Sequence, residues 1–373
     1  MPSRELGGAG DAPALDFDGQ AYTYRELDRA IERWIARDPD AAVYDASALP
    51  VADALICVCA AARRGIPVFV ENPEARPHRT GIPPAAFLLV ATSGSTGRPR
   101  PLARTAASWY DSFPAFTALT GVEPADRVLI TGPLHATMHL FGALHALWRG
   151  ACVTDDPARA TVVHAVPAVL RAVVRTFPRL RTAIVAGIAL DDGALSAAGE
   201  VEVVEYYGSS EVSLVAARRV PEPMRLLDGV EAEVRDGLLY VRSPYRVLGA
   251  PDWFGVGDLA ELGPDRELTV LGRGDCAINV GGTTVVAEEV ERVLESLDGI
   301  AAVAVIGSPH AVFGETVTAA VQLDDGAGLD EIRSRARRVL AKEAMPRRWV
   351  PLPALPRTAA GKVARGRLKD LLT

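Results

Sequence analysis

Residues 91–100 read Ala-Thr-Ser-Gly-Ser-Thr-Gly-Arg-Pro-Arg and directly follow an apolar run over residues 85–90. The length of that run, and the prolines and glycine that precede it, predict a buried strand. A strand that opens into glycines and hydroxylated residues and ends in arginines suits a polyphosphate. Glycine lets the backbone approach closely, while N–H and hydroxyl groups donate to anionic oxygens. No Gly-Lys-Ser/Thr follows, so the stretch does not match the P-loop pattern. Taken alone, it could also be an ordinary flexible turn.

The whole chain indicates a folded protein with two structural units. It has 373 residues, of which 49% are hydrophobic and 23% charged, and a formal net charge of −7. This length exceeds one ordinary core. The acidic balance argues against nucleic acid or an anionic membrane surface as a partner. No run approaches the ~18–20 apolar residues of a membrane span, and the first residues lack the apolar core of a signal peptide. We therefore expect a cytoplasmic protein; its oligomeric state stays open.

The order of apolar and amphipathic segments predicts an α/β fold with a mainly parallel sheet. Thr23 and Glu26 form a capping-box pattern at the start of a helix. After about residue 225, short alternating strands predict a small antiparallel or barrel-like region. A compact α+β unit follows from residue 278. We place the domain boundary so that residues 1–274 and 275–373 form the two domains. The proline-rich residues 350–356 suggest an extended surface segment.

A second group of candidate site residues is Val-Glu-Tyr-Tyr-Gly-Ser-Ser-Glu at residues 204–211. It supplies a flat face for a base, a glycine for close backbone approach, hydroxyl donors for phosphate and a carboxylate that could bind Mg²⁺. A third is Trp-Phe-Gly-Val-Gly-Asp-Leu at residues 253–259, where Asp258, predicted at a strand start, could accept ribose hydroxyls. Each of these short patterns could also be a simple turn.

Residues 271–291 contain Gly-Arg-Gly-Asp-Cys-Ala, which satisfies the dinucleotide fingerprint G-x-G-x-x-A. That fingerprint needs a helix to begin at once. A β-rich Ile-Asn-Val and a Gly-Gly pair follow instead, so we reject a Rossmann site; an interdomain linker is the simple alternative. Near the end, residues 355–365 read Leu-Pro-Arg-Thr-Ala-Ala-Gly-Lys-Val-Ala-Arg. A mobile loop with one cation could bring positive charge to a phosphate, although a solvated basic tail would look similar.

Histidines and cysteines give little sign of a metal site. His135 and His139 stand four apart, with His145 further on, but no His-Glu-x-x-His pattern or nearby carboxylate accompanies them. The four cysteines have no zinc spacing and are expected to be buried free thiols of a reducing compartment. These cysteines are Cys57, Cys59, Cys152 and Cys276.

Five of these stretches resemble motifs of the adenylate-forming superfamily and occur in the same order along the chain. They are residues 91–100, 204–211, 253–259, 271–291 and 355–365. The superfamily includes acyl- and aryl-CoA ligases and peptide-synthetase adenylation domains. Residues 22–27, Tyr-Thr-Tyr-Arg-Glu-Leu, add a sixth similarity near the start. The resemblance implies a large N-terminal domain of layered mixed sheets with helices and a barrel-like β region, followed by a small mobile α+β domain. The chain is shorter than usual for this superfamily, and the shortening falls before Thr92 and between Glu211 and Asp258.

The resemblance also implies roles for individual residues. Lys362, Thr92, Glu211 and His135 would be catalytic, Glu211 would hold Mg²⁺, and Asp275 would be the hinge between domains. Gly281 and Gly282 would line the path of the thiol, whereas Thr137, His139 and Phe141 would face the acyl group. The remaining residues would bind the nucleotide: Ser93, Gly94, Ser95, Thr96, Gly97, Arg100, Gly187, Tyr207, Gly208, Ser210, Asp258 and Arg273. Three positions depart from the usual pattern: Arg100 replaces Lys, Val256 replaces Ser or Thr, and Asn279 replaces Lys.

The activity that the resemblance implies has two half-reactions. A small aryl or short acyl carboxylic acid attacks the α-phosphorus of ATP with Mg²⁺ present, and pyrophosphate leaves. The acyl-adenylate then passes its acyl group to CoA or to the phosphopantetheine of an acyl carrier protein. Two alternatives stay open: an amine or other acceptor in place of the thiol, and a trimmed member that only binds nucleotide.

Overall fold

A nine-stranded sheet with a parallel centre forms the largest layer of the molecule. The computed structural model describes residues 5–372 except 75, 79, 92–99, 174–175, 188–189, 191, 274–276, 281–282, 311–313 and 358–362. In chain order, the strands of this sheet are β1 (Pro13–Phe17), β2 (Gln20–Thr23), β7 (Arg127–Ile130), β8 (Cys152–Thr154), β9 (Val162–Ala165), β10 (Thr182–Val185), β11 (Glu202–Ser209), β12 (Ser213–Arg219) and β13 (Arg225–Leu226).

The strands of this sheet run in the order β13-β12-β11-β10-β9-β7-β8-β1-β2. The six from β11 to β1 pair in parallel, and β2, β12 and β13 add antiparallel edges. The predicted α/β class is therefore confirmed. The continuous apolar character of strands such as Val162–Ala165, which is buried throughout, is typical of a sheet covered on both faces.

A smaller sheet carries the glycine-rich stretch between two neighbouring strands. Its order is β3-β4-β5-β6, with bounds β3 (Tyr44–Asp45), β4 (Val68–Phe69), β5 (Leu88–Ala91) and β6 (Pro101–Arg104). Strands β5 and β6 pair antiparallel, from Leu88↔Arg104 to Ala91↔Pro101. Residues 92–99 therefore connect adjacent strands, and both ends of the connection are fixed by the ladder.

Helices cover these two sheets. The capping box predicted at Thr23 is present: its hydroxyl accepts from the N–H of Glu26, and the Glu26 carboxylate accepts from the N–H of Thr23. The helices of this part are α1 (Tyr24–Arg37), α2 (Val51–Arg64), α3 (Ala107–Tyr110), α4 (Phe113–Thr120), α5 (Thr137–Arg149), α6 (Pro167–Val173) and α7 (Asp192–Ala198). Cys57 and Cys59 are fully buried in α2, and burial raises the pKa of each thiol to about 12, as expected for inert core residues.

The region after residue 225 contains a four-stranded antiparallel sheet. Its strands are β14 (Glu231–Arg235), β15 (Leu238–Arg242), β16 (Phe254–Leu262) and β17 (Leu268–Arg273), and they pair in that order. The antiparallel prediction is confirmed, but the pairing found among the described residues is an open meander without closure into a barrel. Asp258 lies in the middle of β16, not at a strand start, opposite Arg273 in the ladder.

The last part of the chain has its own sheet and apolar core. The strands are β18 (Ala277–Val280), β19 (Thr283–Val286), β20 (Ile300–His310), β21 (Gly314–Leu323) and β22 (Arg348–Pro351), and the helices are α8 (Ala287–Glu295), α9 (Leu329–Val339) and α10 (Arg365–Leu372). The proline-rich residues 350–356 were expected to form an extended segment on the surface, and Val350 and Pro351 are the last residues of β22, which pairs with β21. The division at residue 275 stays a proposal.

Within the described ranges, no helix is long and apolar enough to cross a membrane.

Candidate active site

The carboxyl ends of the parallel strands bring several predicted residues to one edge of the large sheet. Strands β7, β9, β10 and β11 are neighbours in that sheet, so the segments that follow them open on the same side. The amino end of α5 lies at this edge as well, because α5 follows β7. One direct contact joins the two: the hydroxyls of Thr137 and Ser210 are 3.2 Å apart. Gly187, with φ of +90°, follows β10 at the same edge.

A tight turn between β11 and β12 carries Ser210 and Glu211. Gly208 lies so close to the returning strand that a Cβ at this position would stand 2.1 Å from the carbonyl oxygen of Ser213. The Ser209 hydroxyl accepts from the N–H groups of Glu211, at 3.3 Å, and Val212, at 3.4 Å. The glycine of the motif is therefore required by a close backbone approach, and the serine before Ser210 shapes the turn.

Arg104, a residue that we did not predict, supports this turn from beneath. Its side chain is 1% exposed and donates from Nη2 to the carbonyl oxygen of Ser210 at 2.6 Å. Nη1 donates to the carbonyl oxygen of Tyr245 at 2.8 Å. Burial lowers the pKa of the guanidinium to about 9, so it stays charged at neutral pH, and the nearby Glu211 opposes that shift. A single arginine after an apolar stretch gives no sequence signal of this role, because most such arginines are solvated.

Glu211 extends from the turn to Arg100, which follows the glycine-rich connection. Its Oε1 accepts from Nη2 of Arg100 at 2.9 Å. The Glu211 side chain is 13% exposed and that of Arg100 is 70% exposed, so this ion pair is screened and weak. A divalent cation could therefore compete for the carboxylate. Arg100 begins the segment that leaves residues 92–99, which links the phosphate-loop candidate to the predicted metal ligand.

Tyr207 and Asp258 meet at the other side of the turn. The Tyr207 hydroxyl donates to Oδ2 of Asp258. This contact joins the last residues of β11 to the middle of β16 and places the aromatic ring beside the carboxylate. Val256, which replaces a polar residue of the superfamily pattern, is 8% exposed and packs into the apolar core of the meander.

The predicted acyl-pocket residues occupy different depths along α5. His135 precedes the helix and is half-buried; desolvation lowers its pKa. His139 is 7% exposed, and burial lowers its pKa to about 4. Phe141 is 4% exposed and packs edge-on against Phe113 and Phe116 in the aromatic core.

Several candidates fall outside the described residues, and their roles stay predictions. These are Thr92, Ser93, Gly94, Ser95, Thr96, Gly97, Asp275, Gly281, Gly282 and Lys362. Arg365, three residues after Lys362, makes two ion pairs. Arg365 starts α10 and donates from Nη2 to Oε2 of Glu291 in α8 at 2.5 Å, and its Nη1 lies 3.7 Å from Oε1 of Glu288.

Two family models match the chain. The AMP-binding enzyme model matches residues 71–239, and the model of the AMP-binding enzyme C-terminal domain matches residues 289–362. Together they cover the turn at Gly208, the glycine-rich connection and the Lys362 segment. The chain belongs to the adenylate-forming superfamily of AMP-binding enzymes.

Individual members of the superfamily are similar over 45% to 99% of the chain. An uncharacterized acyl-CoA ligase, YhfT, from Bacillus subtilis is 29% identical over 81% of this chain and 72% of its own length. A 2-hydroxy-7-methoxy-5-methyl-1-naphthoate–CoA ligase from Streptomyces carzinostaticus is 33% identical, over 45% of this chain and 32% of its own length. ATP-bound MatB from Rhodopseudomonas palustris has the same fold, with a TM-score of 0.83 and 22% identity over 99% of this chain and 98% of its own.

The described residues of this superfamily member fit ATP and Mg²⁺ chemically. Gly208 lies close to the returning strand, and the turn beside it carries backbone N–H and hydroxyl groups that can donate to phosphate. The ring of Tyr207 lies beside the Asp258 carboxylate and offers a flat face for a base. Glu211 supplies the oxygen ligand that Mg²⁺ prefers. Among the residues that the structure describes, no cluster of three or more His, Cys, Asp or Glu forms an all-protein metal site. A single carboxylate beside a phosphate site is the usual arrangement for magnesium bound with a nucleotide.

Proposed function

We propose that this superfamily member is an AMP-forming acid–thiol ligase, which activates a carboxylic acid as its adenylate and then forms a thioester. The observation that supports the proposal is the turn over residues 208–212, because several of the candidate residues make side-chain contacts around it. Tyr207 meets Asp258, Ser210 meets Thr137, and Glu211 meets Arg100. These contacts support four roles around one turn of the chain: Tyr207 as the face for the base, Asp258 as the ribose acceptor, Ser210 as the phosphate donor and Glu211 as the metal ligand.

In the first half-reaction, a carboxylate oxygen of the acid attacks the α-phosphorus of ATP. The new acyl–phosphate bond forms as the bond from the α-phosphorus to the bridging oxygen breaks, and pyrophosphate leaves with the electron pair. Ser210 would donate to the α-phosphate, and residues 92–97 with Arg100 would hold the leaving group. Magnesium, held by Glu211, would supply positive charge for the phosphates. Lys362 would neutralise charge as the adenylate forms, so that positioning and electrostatics supply most of the catalysis.

In the second half-reaction, a thiolate sulfur attacks the acyl carbon and AMP leaves. We infer that residues 1–274 and 275–373 act as two domains, and that rotation at Asp275 withdraws Lys362 and brings Gly281 and Gly282 to the thiol path. The acceptor would be CoA or the phosphopantetheine of a carrier protein. His135, half-buried before α5, would border the acyl group and the entering thiol.

The acid would be a small aryl or short acyl acid. The apolar and aromatic surroundings of α5 favour such a group, and the Streptomyces carzinostaticus relative is named for a hydroxylated aryl acid. No Asp or Glu occurs between His135 and Gly150 to bind a free α-ammonium group.

Carboxylate-dependent release of pyrophosphate tests the proposal. A panel of aryl and short acyl acids is assayed with ATP and Mg²⁺, and CoA or hydroxylamine is then added to trap the acyl group. We expect release with at least one acid and a CoA thioester as product. Lys362→Ala should abolish release, whereas Lys342→Ala, at an exposed position of the same part of the chain, should not. Bound ATP without release for any acid would refute the ligase; trapping by amines but not CoA would refute the thiol acceptor.

A further inference from the structure

Three buried histidines line one face of α5. His139, Gly142 and His145 recur every three residues, which places them on the same side of the helix. His164 of β9 lies against this face: a Cβ at Gly142 would stand 2.7 Å from the His164 ring. The glycine thus makes room for the third imidazole between the other two. We call His139, His164 and His145, in this order, the histidine column.

The column contains ring nitrogens that the protein leaves without hydrogen bonds. His164 is fully buried, and neither of its ring nitrogens has a partner among the described residues. Nδ1 of His139 and Nδ1 of His145 are likewise buried without a partner in that part of the chain. His145 uses only Nε2, which lies 2.8 Å from the Thr117 hydroxyl. A buried polar atom without a partner costs about 1–3 kcal/mol, so a column of them indicates an occupant that can hydrogen-bond.

The column begins at the candidate active site and runs into the core. His139 lies in the first turn of α5, and the amino end of this helix is at the candidate active site. The His139 ring packs against Gly132, in the loop that leads to His135, since a Cβ at Gly132 would stand 2.3 Å from Nε2. Thr131, from the same loop, donates to the carbonyl oxygen of His164 at 2.8 Å. An acyl group that lies against the loop over residues 131–135 would therefore meet His139 first and His164 behind it.

The imidazoles are neutral. Burial lowers the pKa of His139 to about 4 and that of His145 to about 3, and it holds the pKa of His164 well below its usual range. A neutral imidazole offers one donor and one acceptor. This pair matches a hydroxyl or an uncharged amine, which can both donate and accept. It does not match a second carboxylate, which can only accept, or an alkyl chain, which can do neither.

We propose that the histidine column ends the acyl pocket, and that the acid carries a hydroxyl or uncharged amino group that hydrogen-bonds to His139 and His164. This inference rests on the proposed ligase function and narrows its substrate to hydroxylated or aminated aryl acids. The column would select hydroxylated or aminated acids over acids without such a group. A pocket that binds a hydroxyl leaves its own polar groups unpaired when the hydroxyl is missing, which disfavours the acid that lacks it.

Matched acids test the column. The three hydroxybenzoates are compared with the three methylbenzoates, which have similar size but no hydrogen-bonding group, by acid-dependent exchange of pyrophosphate into ATP. We expect at least one hydroxybenzoate to exceed its methyl counterpart by tenfold or more in kcat/KM. His164→Leu and His139→Leu should each remove most of that preference by improving the methyl acid and weakening the hydroxyl acid. His78→Leu, at an exposed position outside the column, should leave the preference unchanged.

A second measurement does not depend on turnover. The NMR resonances of ¹⁵N-labelled imidazole nitrogens should shift on addition of the preferred hydroxybenzoate and should not shift with its methyl counterpart. His164→Asn retains a donor and an acceptor if the leucine variants fail to fold, and it should keep part of the hydroxyl preference. If pyrophosphate exchange occurs with many acids and shows no preference for hydroxyl acids, the proposed role of the histidine column is wrong while the ligase function stands. Hydroxyl acids that bind without shifting the His164 nitrogens would overturn that role as well.

Discussion

The Arg104 guanidinium donates to the carbonyl oxygen of Ser210 at 2.6 Å from a position that is almost completely buried. This contact joins the end of β6 to the turn over residues 208–212. The same guanidinium holds the carbonyl of Tyr245, and the N–H of Val247 donates to the carbonyl oxygen of Glu211 at 2.8 Å. Two separate segments of chain, the end of β6 and residues 245–247, therefore fix the backbone on which Ser210 and Glu211 stand.

Loss of this buried cation should impair nucleotide binding more than acid binding. We expect Arg104→Met to raise the KM for ATP by roughly tenfold or more, because two charge-assisted hydrogen bonds, each worth about 1.5–3 kcal/mol, would be lost beneath the turn. The KM for the acid should change much less. Arg104→Lys keeps the positive charge but loses the paired N–H donors of the guanidinium, so its KM for ATP should lie between those of the native protein and of Arg104→Met. Steady-state kinetics with both substrates varied gives the answer, and Arg149→Met, which loses only a bond to the Val122 carbonyl, is the matched control. Equal effects on both KM values would contradict this role.

Substitution of Glu211, but not of Arg100, should raise the magnesium requirement. Their ion pair is exposed on the arginine side, so it competes only weakly with a cation. Glu211→Gln should raise the Mg²⁺ concentration for half-maximal pyrophosphate exchange by roughly tenfold or more, since a neutral amide is a poorer ligand. Arg100→Met should raise the KM for ATP without raising the Mg²⁺ requirement. Glu222→Gln, at an exposed position, serves as control. A higher Mg²⁺ requirement in the Arg100 variant would contradict the assignment.

The sequence predicted the elements well where the signal is local. The helix at Thr23 follows from a capping box, and the strand before the glycine-rich stretch, Leu88–Ala91, follows from the apolar run over residues 85–90. The strand β12 was missed because its pairing with β11 depends on the close approach at Gly208, which no local pattern encodes. The antiparallel pairing of the region after residue 225 followed from its short alternating strands, and the described strands form an open meander.

The candidate site shows the same division between local and long-range information. Tyr207 and Asp258 are 51 residues apart, and their motifs gave no reason to expect a direct hydrogen bond. Arg104 was missed because a buried arginine is recognisable only by the carbonyl groups that surround it. His164 was missed because it lies in an apolar strand, and its importance appears only where Gly142 of a distant helix makes room for it.

Asp258 should determine whether the enzyme distinguishes ATP from deoxy-ATP. Its carboxylate accepts from Tyr207, which holds it beside the predicted ribose position. We expect the native enzyme to use 2′-deoxy-ATP and 3′-deoxy-ATP roughly 10- to 100-fold less efficiently than ATP, in line with about 1.5–3 kcal/mol for a hydrogen bond to a charged group. Asp258→Ala should slow the reaction with ATP and abolish most of this discrimination. Tyr207→Phe should reduce it only in part. Unchanged discrimination in Asp258→Ala, with Asp252→Ala as control, would place the ribose elsewhere.

Arg365 should matter for adenylation and not for thioester formation. It anchors the start of α10 to Glu291, three residues after Lys362, so its loss should release the segment that carries the proposed catalytic lysine. We expect Arg365→Met to slow acid-dependent pyrophosphate exchange by roughly tenfold or more, on the basis of effects seen for misplaced catalytic groups. Thioester formation from supplied acyl-adenylate should be nearly unchanged. Arg367→Met, exposed on the same helix, is the control. Equal slowing of both half-reactions would indicate a general structural role.

The histidine column should make the fold sensitive to mild acid. The pKa values of His139, His145 and His164 lie below the usual 6.5 in the folded protein because burial disfavours the imidazolium. As the pH falls below about 6.5, the unfolded chain takes up protons that the folded protein does not bind, so the free energy of unfolding decreases. The loss continues until the folded state is protonated, near pH 4 for His139 and near pH 3 for His145. Between pH 7 and pH 5 each histidine should contribute a loss of roughly 2 kcal/mol.

Urea unfolding at several pH values between 7 and 5 checks this expectation. This window lies above the usual pKa values of Asp and Glu, so the histidines dominate proton uptake there. His145→Leu should reduce the pH slope by about one proton, because it removes the member whose charging is further opposed by Arg149. His78→Leu should leave the slope unchanged, since that side chain is exposed. If His145→Leu unfolds with the native slope, the column is protonated in the folded state, and a hydroxyl acid would no longer be the group that it matches best.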